Sequence, residues 1–245
     1  MSSLPASIME TIFNVAYLIT LWSLIALMAK NRSRIAPAEA NLAGRFLLAF
    51  VLLAVGDTFH VGARVVTALF GPAAATVTVG GVPSSLLGLG MLATAYTMTI
   101  FYMVFAEARA LRSGRRLDAA FWIMESLLVL RLILMALPGN GWELAVPPYV
   151  MGLVRNLPLA VAGFLMAGLF IAEGRRDGDR AWAGIGWAMI VSYGFYTPVI
   201  LFAAAVPMLG LLMIPKTLAY VAMGLIAYKR YWKAGDKADR ARAAA

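Results

Sequence analysis

The chain has 245 residues, of which 62% are hydrophobic and only 13% charged, so it is more apolar and less charged than soluble domains are. The absence of cysteine excludes disulfides, thiolate metal sites and cysteine nucleophiles. The net charge of +9 indicates an anionic partner, but the positions of the basic residues favour membrane lipids and exclude nucleic acid. We therefore predict an integral membrane protein.

Seven apolar segments follow one another along the chain, each about 20 residues or longer and so able to cross a bilayer as a helix. Their predicted limits are 8–28, 42–70, 84–109, 117–137, 150–171, 181–205 and 208–228. The connections are too short to hold a soluble domain. We predict an all-α fold, in which residues 1–245 form a single seven-transmembrane-helix bundle with a basic tail at 229–245.

Basic residues lie at one end of the predicted bundle. Seventeen of the 21 Lys and Arg flank the first, third and fifth connections or fill the tail, and the other three connections contain none. They are Lys30, Arg32, Arg34, Arg45, Arg109, Arg112, Arg115, Arg116, Arg175, Arg176, Arg180, Lys229, Arg230, Lys233, Lys237, Arg240 and Arg242. Cytoplasmic connections are enriched in such residues, so we predict an outside N-terminus and a cytoplasmic C-terminus in a bacterial inner membrane. The tail would bind anionic lipids or a cytoplasmic signalling partner.

Three ionisable residues share one face of the second predicted helix. Asp57, His60 and Arg64 are three and four residues apart, a spacing that aligns them along a helix. Ionisable side chains inside a membrane are costly and typically mark functional sites. We expect Asp57 to orient Arg64 and to tune the protonation of His60. Two structural interpretations stay open: Asp57 as the counter-ion of Arg64, and His60 as an interhelical hydrogen-bonding residue.

Four cations lie within the predicted helices, namely Arg64, Arg131, Arg155 and Lys216. Counted at about 1.5 Å per residue from the cytoplasmic flanks, all four fall in the outer half of the membrane. The acids that accompany them are fewer: Asp57 near the midplane and Glu10 at the outer end of the first helix. A surplus of buried positive charge is unstable unless water or an anion compensates it. The sequence therefore predicts an electropositive cavity that opens to the outside.

The predicted ligand of this cavity is an anionic small molecule or a lipid headgroup, bound for sensing or for transport. The residues predicted to bind it are Arg64, Arg131, Arg155, Asn156, Lys216, Tyr196 and His60. Pro158, Pro198 and Pro215 free backbone carbonyls near this level, which agrees with a polar cavity. Under the structural interpretation, Arg64 and Arg155 instead extend to lipid headgroups.

A membrane-embedded enzyme acting on a lipid or lipid-linked substrate is the alternative from another class. Asp57 and His60 would then serve as acid and base. A metal site is not predicted, because the chain has one histidine and no cysteine and the cations nearby oppose a metal ion. No cofactor is predicted under either interpretation.

Three motifs carry a resemblance to other proteins. The chain is similar to a set of uncharacterised bacterial seven-helix membrane proteins in three runs: 56–60 (Gly-Asp-Thr-Phe-His) with Arg64, 155–158 (Arg-Asn-Leu-Pro) and 214–216 (Ile-Pro-Lys). The resemblance covers most of the chain and implies the same seven-helix fold. It implies no particular chemistry.

The chain also resembles microbial rhodopsins, through its seven helices, its predicted outside N-terminus and Lys216 midway along the last helix. The run 193–198 is similar to their aromatic, proline-bearing sixth helix. This resemblance implies retinal bound through Lys216, which is a third interpretation. The chain departs from the pattern at Leu212, where such rhodopsins carry an acid, and in its third helix, which has no carboxylate before Glu107. Asp57 would have to replace the missing counter-ion from another helix.

Overall fold

The computed structural model describes residues 4–114 and 118–233. The helices are α1 (Leu4–Lys30), α2 (Ala40–Ala74), α3 (Leu86–Ser113), α4 (Ala119–Ala136), α5 (Tyr149–Arg176), α6 (Arg180–Phe202) and α7 (Met213–Tyr231). Within the described residues, seven helices are long and apolar enough to cross a membrane. The predicted fold class, an all-α seven-helix membrane bundle, is therefore confirmed.

Each helix packs against its neighbour in sequence, and α7 returns to α1 and α2, which closes the ring. The α2–α3 connection forms a two-stranded antiparallel hairpin of β1 (Thr76–Val79) and β2 (Val82–Ser85). We call the end of the bundle that carries this hairpin the hairpin end. The opposite end, where α1 and α7 finish at Lys30 and Tyr231, is the basic end.

Side-chain caps explain where three of the helices begin. The Ser85 hydroxyl accepts the backbone N–H of Leu87 at 3.2 Å at the start of α3. The Asp118 carboxylate accepts the N–H of Phe121 at 2.7 Å in α4, and Asp179 accepts two N–H groups of α6. Such caps satisfy backbone donors that a helix start leaves without an intrahelical partner.

Several predicted segment limits differ from the helices. The second segment was predicted to stop at residue 70, whereas the helical stretch continues to Ala74 across a break at Gly71, whose φ is +83°. Ser84 lies in β2 and not in the third helix, because the hairpin continues to Ser85. The sixth helix ends at Phe202, three residues before the predicted limit at 205. Residue 117 and the tail beyond 233 lie outside the described residues, as do Arg115, Arg116, Lys237, Arg240 and Arg242.

The seventh predicted segment divides into two elements. Residues Pro207–Leu212 form a 3₁₀ helix, and α7 begins only at Met213. Pro215 therefore lies in the first turn of α7, where its missing N–H removes no intrahelical hydrogen bond. The expected opening of the backbone near Lys216 does not occur at this proline. Pro158 and Pro198, in contrast, lie inside α5 and α6.

Aromatic side chains fill the basic half of the bundle. Phe170 of α5 stacks on Trp182 of α6 with ring centroids 3.9 Å apart, and Phe46 of α2 stacks on Tyr231 of α7 at 5.3 Å. Phe105 of α3 packs between them, edge-on to Phe46 and stacked on Phe170. All five side chains are buried, and we call them the aromatic layer. Apart from the buried Arg109 and Glu173, which pair at the basic end, the buried arginines Arg131 and Arg155 lie in the other half, towards the hairpin end.

Glycines permit the close approach of several helices. Gly90 of α3 faces the backbone of α2, since a Cβ there would lie 2.8 Å from the Phe59 carbonyl oxygen. In α5, a Cβ at Gly163 would lie 1.9 Å from the Tyr193 ring, whereas a Cβ at Gly168 would meet no atom within 4 Å. The Tyr193 ring thus occupies the notch that Gly163 leaves.

Gly163→Ala should destabilise the bundle by about 1–3 kcal/mol, because the added methyl displaces the buried Tyr193 ring from a packed site. Gly168→Ala, five residues along the same helix, is the matched control and should leave stability unchanged or slightly increased. Thermal unfolding of the purified variants in detergent measures the difference. Equal midpoints for the two variants would contradict the packing described for Gly163.

Candidate functional site

The predicted site residues fall into two groups and not into one cavity. A cavity of about 350 Å³ lies at the hairpin end between α1, α2 and α3. Its lining consists of Glu10, Thr11, Asn14, His60, Arg64, Thr67, Ala68, Leu87, Met91 and Ala145. We call it the mouth cavity. Arg64 and His60 line it, but Arg131, Arg155 and Lys216 do not.

Arg64 pairs with Glu10 and not with Asp57. The guanidinium of Arg64 donates to the Glu10 carboxylate across the α1–α2 interface, and both side chains are nearly half exposed. The expectation that Asp57 orients Arg64 is therefore wrong, because α1 supplies the acid in its place. Nδ1 of His60 is buried and has no hydrogen-bond partner among the described residues, and no hydrogen bond links His60 to Asp57.

Asp57 joins three helices through two hydroxyl donors. The hydroxyl of Tyr17 in α1 donates to it at 2.6 Å, and the hydroxyl of Thr94 in α3 donates at 3.1 Å. The cation whose charge acts on Asp57 is Lys216 of α7, beyond the 4 Å of a direct ion pair. The Asp57 side chain is thus held in place by hydrogen bonds from α1 and α3. The enzymatic interpretation, with Asp57 and His60 as acid and base, stays a prediction.

Arg131 is buried and binds only neutral groups. Its side chain is 3% exposed and donates to the backbone oxygens of Ala95 at 2.8 Å and Arg155 at 3.1 Å. It also donates to the hydroxyl of Thr99, and to Oδ1 of Asn156 at 3.1 Å. These bonds connect α4 to α3 and α5. None of the acceptors is charged, so the hydrogen bonds do not neutralise the guanidinium.

Arg155 is likewise buried without a carboxylate. It is 7% exposed, and its Nη1 donates to the backbone oxygen of Asn140 at 3.3 Å and to Oδ1 of the same residue at 3.0 Å. The guanidinium carbon lies 4.1 Å from the centre of the Trp142 ring, a cation–π distance. Asn140 and Trp142 belong to the α4–α5 loop, and the sequence reasoning missed both. The available signal was their position in the run 139–142 (Gly-Asn-Gly-Trp), because closely spaced glycines mark turns and loops.

Lys216 has no hydrogen-bond acceptor or carboxylate within contact distance in the described part of the chain. Its ammonium lies 4.3 Å from the centre of the Tyr196 ring and 5.5 Å from that of Tyr220. Tyr196 is also close enough for its hydroxyl to interact electrostatically with Arg131 and Arg155. No described group hydrogen-bonds this hydroxyl. Lys216 and Tyr196 therefore retain unused donors.

We call Arg131, Arg155 and Lys216 the central cation cluster. The charge of Arg131 acts on both of the other members, which places the three within electrostatic range of one another. In residues 4–114 and 118–233, Asp57 is the one acid whose charge acts on Lys216, and it is not in direct contact with it. Among the described residues, none of the three cations has a carboxylate within 4 Å. The structure thus brings together five predicted residues, the three cations with Asn156 and Tyr196. Arg64 and His60 line the mouth cavity, and His60 is also within electrostatic range of Lys216.

The arginines at the basic end behave differently, because they have acidic partners. Arg109, 4% exposed, contacts Glu173 at 2.7 Å and Asp118 at 2.8 Å. Other pairs join Arg112 to Asp177 and Asp179, and Arg230 to Glu39 and Asp179. A hydrogen bond from Arg176 holds the pKa of the Asp177 carboxyl below its ordinary value. The sequence reasoning assigned Arg109 and Arg112 to lipid contact and missed this network.

The fold and the interior residues define a seven-helix membrane protein with a polar centre. No protein-family model and no curated protein matches the sequence. Its fold is similar to that of xanthorhodopsin, a structure described as a light-driven ion pump with dual chromophore. The two share 12% sequence identity, the match covers 97% of each chain, and the TM-score is 0.58. The likeness shows that this chain has the seven-helix rhodopsin fold.

Proposed function

We propose that this protein binds a small anion, or the anionic headgroup of a lipid, at the central cation cluster. The observation that carries the proposal is that Arg131 and Arg155 are both buried with no carboxylate in contact in the described part of the chain. Three cations and one acid give the centre a formal surplus of two positive charges. Charges buried without compensation are strongly unfavourable, and a bound anion would compensate them.

Free donors around the cluster match the chemistry of an anion. Among the described residues, none accepts from the three N–H donors of Lys216, and Arg155 uses only Nη1 and keeps Nε and Nη2. The hydroxyl of Tyr196 is within electrostatic range of both arginines, and the Lys216 ammonium lies over the ring of the same tyrosine. Charge-assisted hydrogen bonds from such groups favour phosphate, sulfate and carboxylate oxygens. Arg131 contributes mainly charge, because most of its donors are bound to protein oxygens.

Access from the hairpin end supports the same proposal. The mouth cavity, with Arg64 and Glu10 at its rim, lies on this side of the cluster, whereas the aromatic layer fills the basic half. The distribution of basic residues favours a cytoplasmic basic end in a bacterial inner membrane. The anion would then arrive from outside the cell. A transporter would require the aromatic layer to open, and a sensor would pass the signal to a partner at the basic end.

The test is a titration of the purified protein with phosphate, sulfate and chloride, and with vesicles containing phosphatidylglycerol. We expect a saturable rise in unfolding temperature with at least one of them, because a ligand that binds only the folded state stabilises it. A response to the vesicles alone identifies a headgroup, and a response to the salts identifies a free anion. Arg155→Gln should reduce the response and Arg176→Gln, at the surface, should not. No response to any probe would contradict the proposal.

Retinal binding is the second candidate, favoured by the fold and by the position of Lys216 in α7. The residues around Lys216 fit this group only in part. Asp57 lies within electrostatic range of Lys216 and would supply the negative partner that a protonated Schiff base needs, whereas Arg131 adds positive charge nearby. The rings of Tyr196 and Tyr220 lie against the ammonium, and Tyr193 fills the notch at Gly163. A visible absorbance band after addition of retinal, lost in Lys216→Met, would establish this function in place of anion binding.

A further inference from the structure

The α4–α5 loop, residues 137–148, folds over the hairpin end and is fixed to the end of α4. The side-chain amide of Asn140 donates to the backbone oxygens of Leu134 at 2.9 Å and Leu137 at 2.8 Å. The indole N–H of Trp142 donates to the oxygen of Met135 at 3.0 Å. Asn140 is only 2% exposed. The loop is thus an ordered cover and not a loose connection.

A second set of contacts fixes the loop to the hairpin and α3. The backbone N–H of Ser85 donates to the oxygen of Glu143 at 2.8 Å. Gly88 of α3 lies directly beneath the loop, since a Cβ there would be 2.3 Å from the Trp142 oxygen and 2.4 Å from the Leu144 oxygen. The loop backbone therefore rests on the first turn of α3, at the hairpin end.

The inner side of this cover presents oxygens to a cation of the cluster. Both the backbone oxygen and Oδ1 of Asn140 accept from Nη1 of Arg155, and the Trp142 ring covers the face of the same guanidinium. Asn140 thereby supplies two oxygens and no negative charge. An oxyanion would offer Arg155 the same type of acceptor together with the missing charge.

We propose that Asn140 is an internal competitor for the anion site and that oxyanion binding displaces it from Arg155. This inference rests on the anion site proposed above. An oxyanion that binds Arg155 end-on uses Nη1 together with the free Nη2, and its charged oxygen attracts the guanidinium more strongly than the neutral amide does, so the ligand replaces Asn140 on Nη1. The loop then loses two of its inner hydrogen bonds. Asn140 is accordingly a positioning residue. It determines the affinity of the site for the anion and whether the α4–α5 loop stays hydrogen-bonded to Arg155.

The first experiment measures the affinity of the full-length protein for inorganic phosphate in three forms: wild type, Asn140→Ala and Asn140→Asp. Removal of the competing side chain should tighten binding about tenfold, equivalent to about 1.4 kcal/mol. The carboxylate of the Asp variant stays beside Arg155 as a tethered anion and should weaken binding by at least about tenfold. Asn31→Ala, at the basic end, is the control and should bind as wild type does.

The second experiment uses only the wild-type protein, so it does not depend on how the variants fold. Hydrogen exchange of the amides in 137–148 should accelerate when phosphate is added, because the loop loses contacts with Arg155. Unchanged exchange, or equal affinities in the three forms, overturns the role of Asn140 while leaving the anion site in place. A wild-type protein that binds no phosphate overturns both.

Discussion

Lys216→Met is expected to abolish most anion binding while leaving the fold intact. The ammonium donates to no described group, so its removal leaves no acceptor without a partner. Methionine retains a long flexible side chain that can pack against Tyr196 and Tyr220. The substitution also removes a partly buried charge whose desolvation opposes folding. Stability should therefore be equal to that of the wild type or higher.

The expected loss of affinity follows from the contact that the anion would lose. A hydrogen bond to a charged group contributes about 1.5–3 kcal/mol, which corresponds to a loss of roughly 10- to 100-fold. Phosphate titration followed by thermal unfolding measures affinity and stability in the same sample. Lys229→Met, in the last turn of the same helix, is the matched control and should bind normally. Normal phosphate binding by Lys216→Met would exclude Lys216 from the site.

Arg109→Leu is expected to destabilise the protein by about 3–5 kcal/mol, the usual cost of removing one partner from a buried ion pair. The guanidinium bridges Glu173 and Asp118 at the basic end, and Glu173 is only 8% exposed. Without Arg109, the Glu173 carboxylate stays buried with no cation beside it. The contacts between α3, α4 and α5 at this end would weaken together.

A double variant separates loss of charge pairing from loss of packing. Arg109→Leu with Glu173→Leu removes both charges, so we expect it to recover much of the stability that the single variant loses. Thermal unfolding of both variants in detergent gives the comparison. Anion binding at the hairpin end should be unchanged in the double variant, because the central cation cluster is far from this network in the sequence and in the bundle. A single variant as stable as the wild type would contradict the structural role of Arg109.

The number of helices and the type of fold could be predicted from the sequence alone. Seven apolar segments of membrane-spanning length leave a bundle as the arrangement that satisfies their backbone hydrogen bonds. Counting residues from the basic flanks also placed Arg131, Arg155 and Lys216, together with Arg64, in the same half of the bundle, and in the structure the first three act on one another. Depth along a helix follows from a fixed rise per residue, so it can be read without a structure.

Which side chains meet could not be predicted from the sequence and depends on the packing of the helices. Glu10 pairs with Arg64, Tyr17 and Thr94 donate hydrogen bonds to Asp57, and Asn140 of the α4–α5 loop accepts from Arg155. These contacts join residues from different elements. They depend on how each helix is rotated about its axis and on the path of the connecting loop. Periodicity fixes the positions that share a face of one helix, whereas packing between helices fixes what that face contacts.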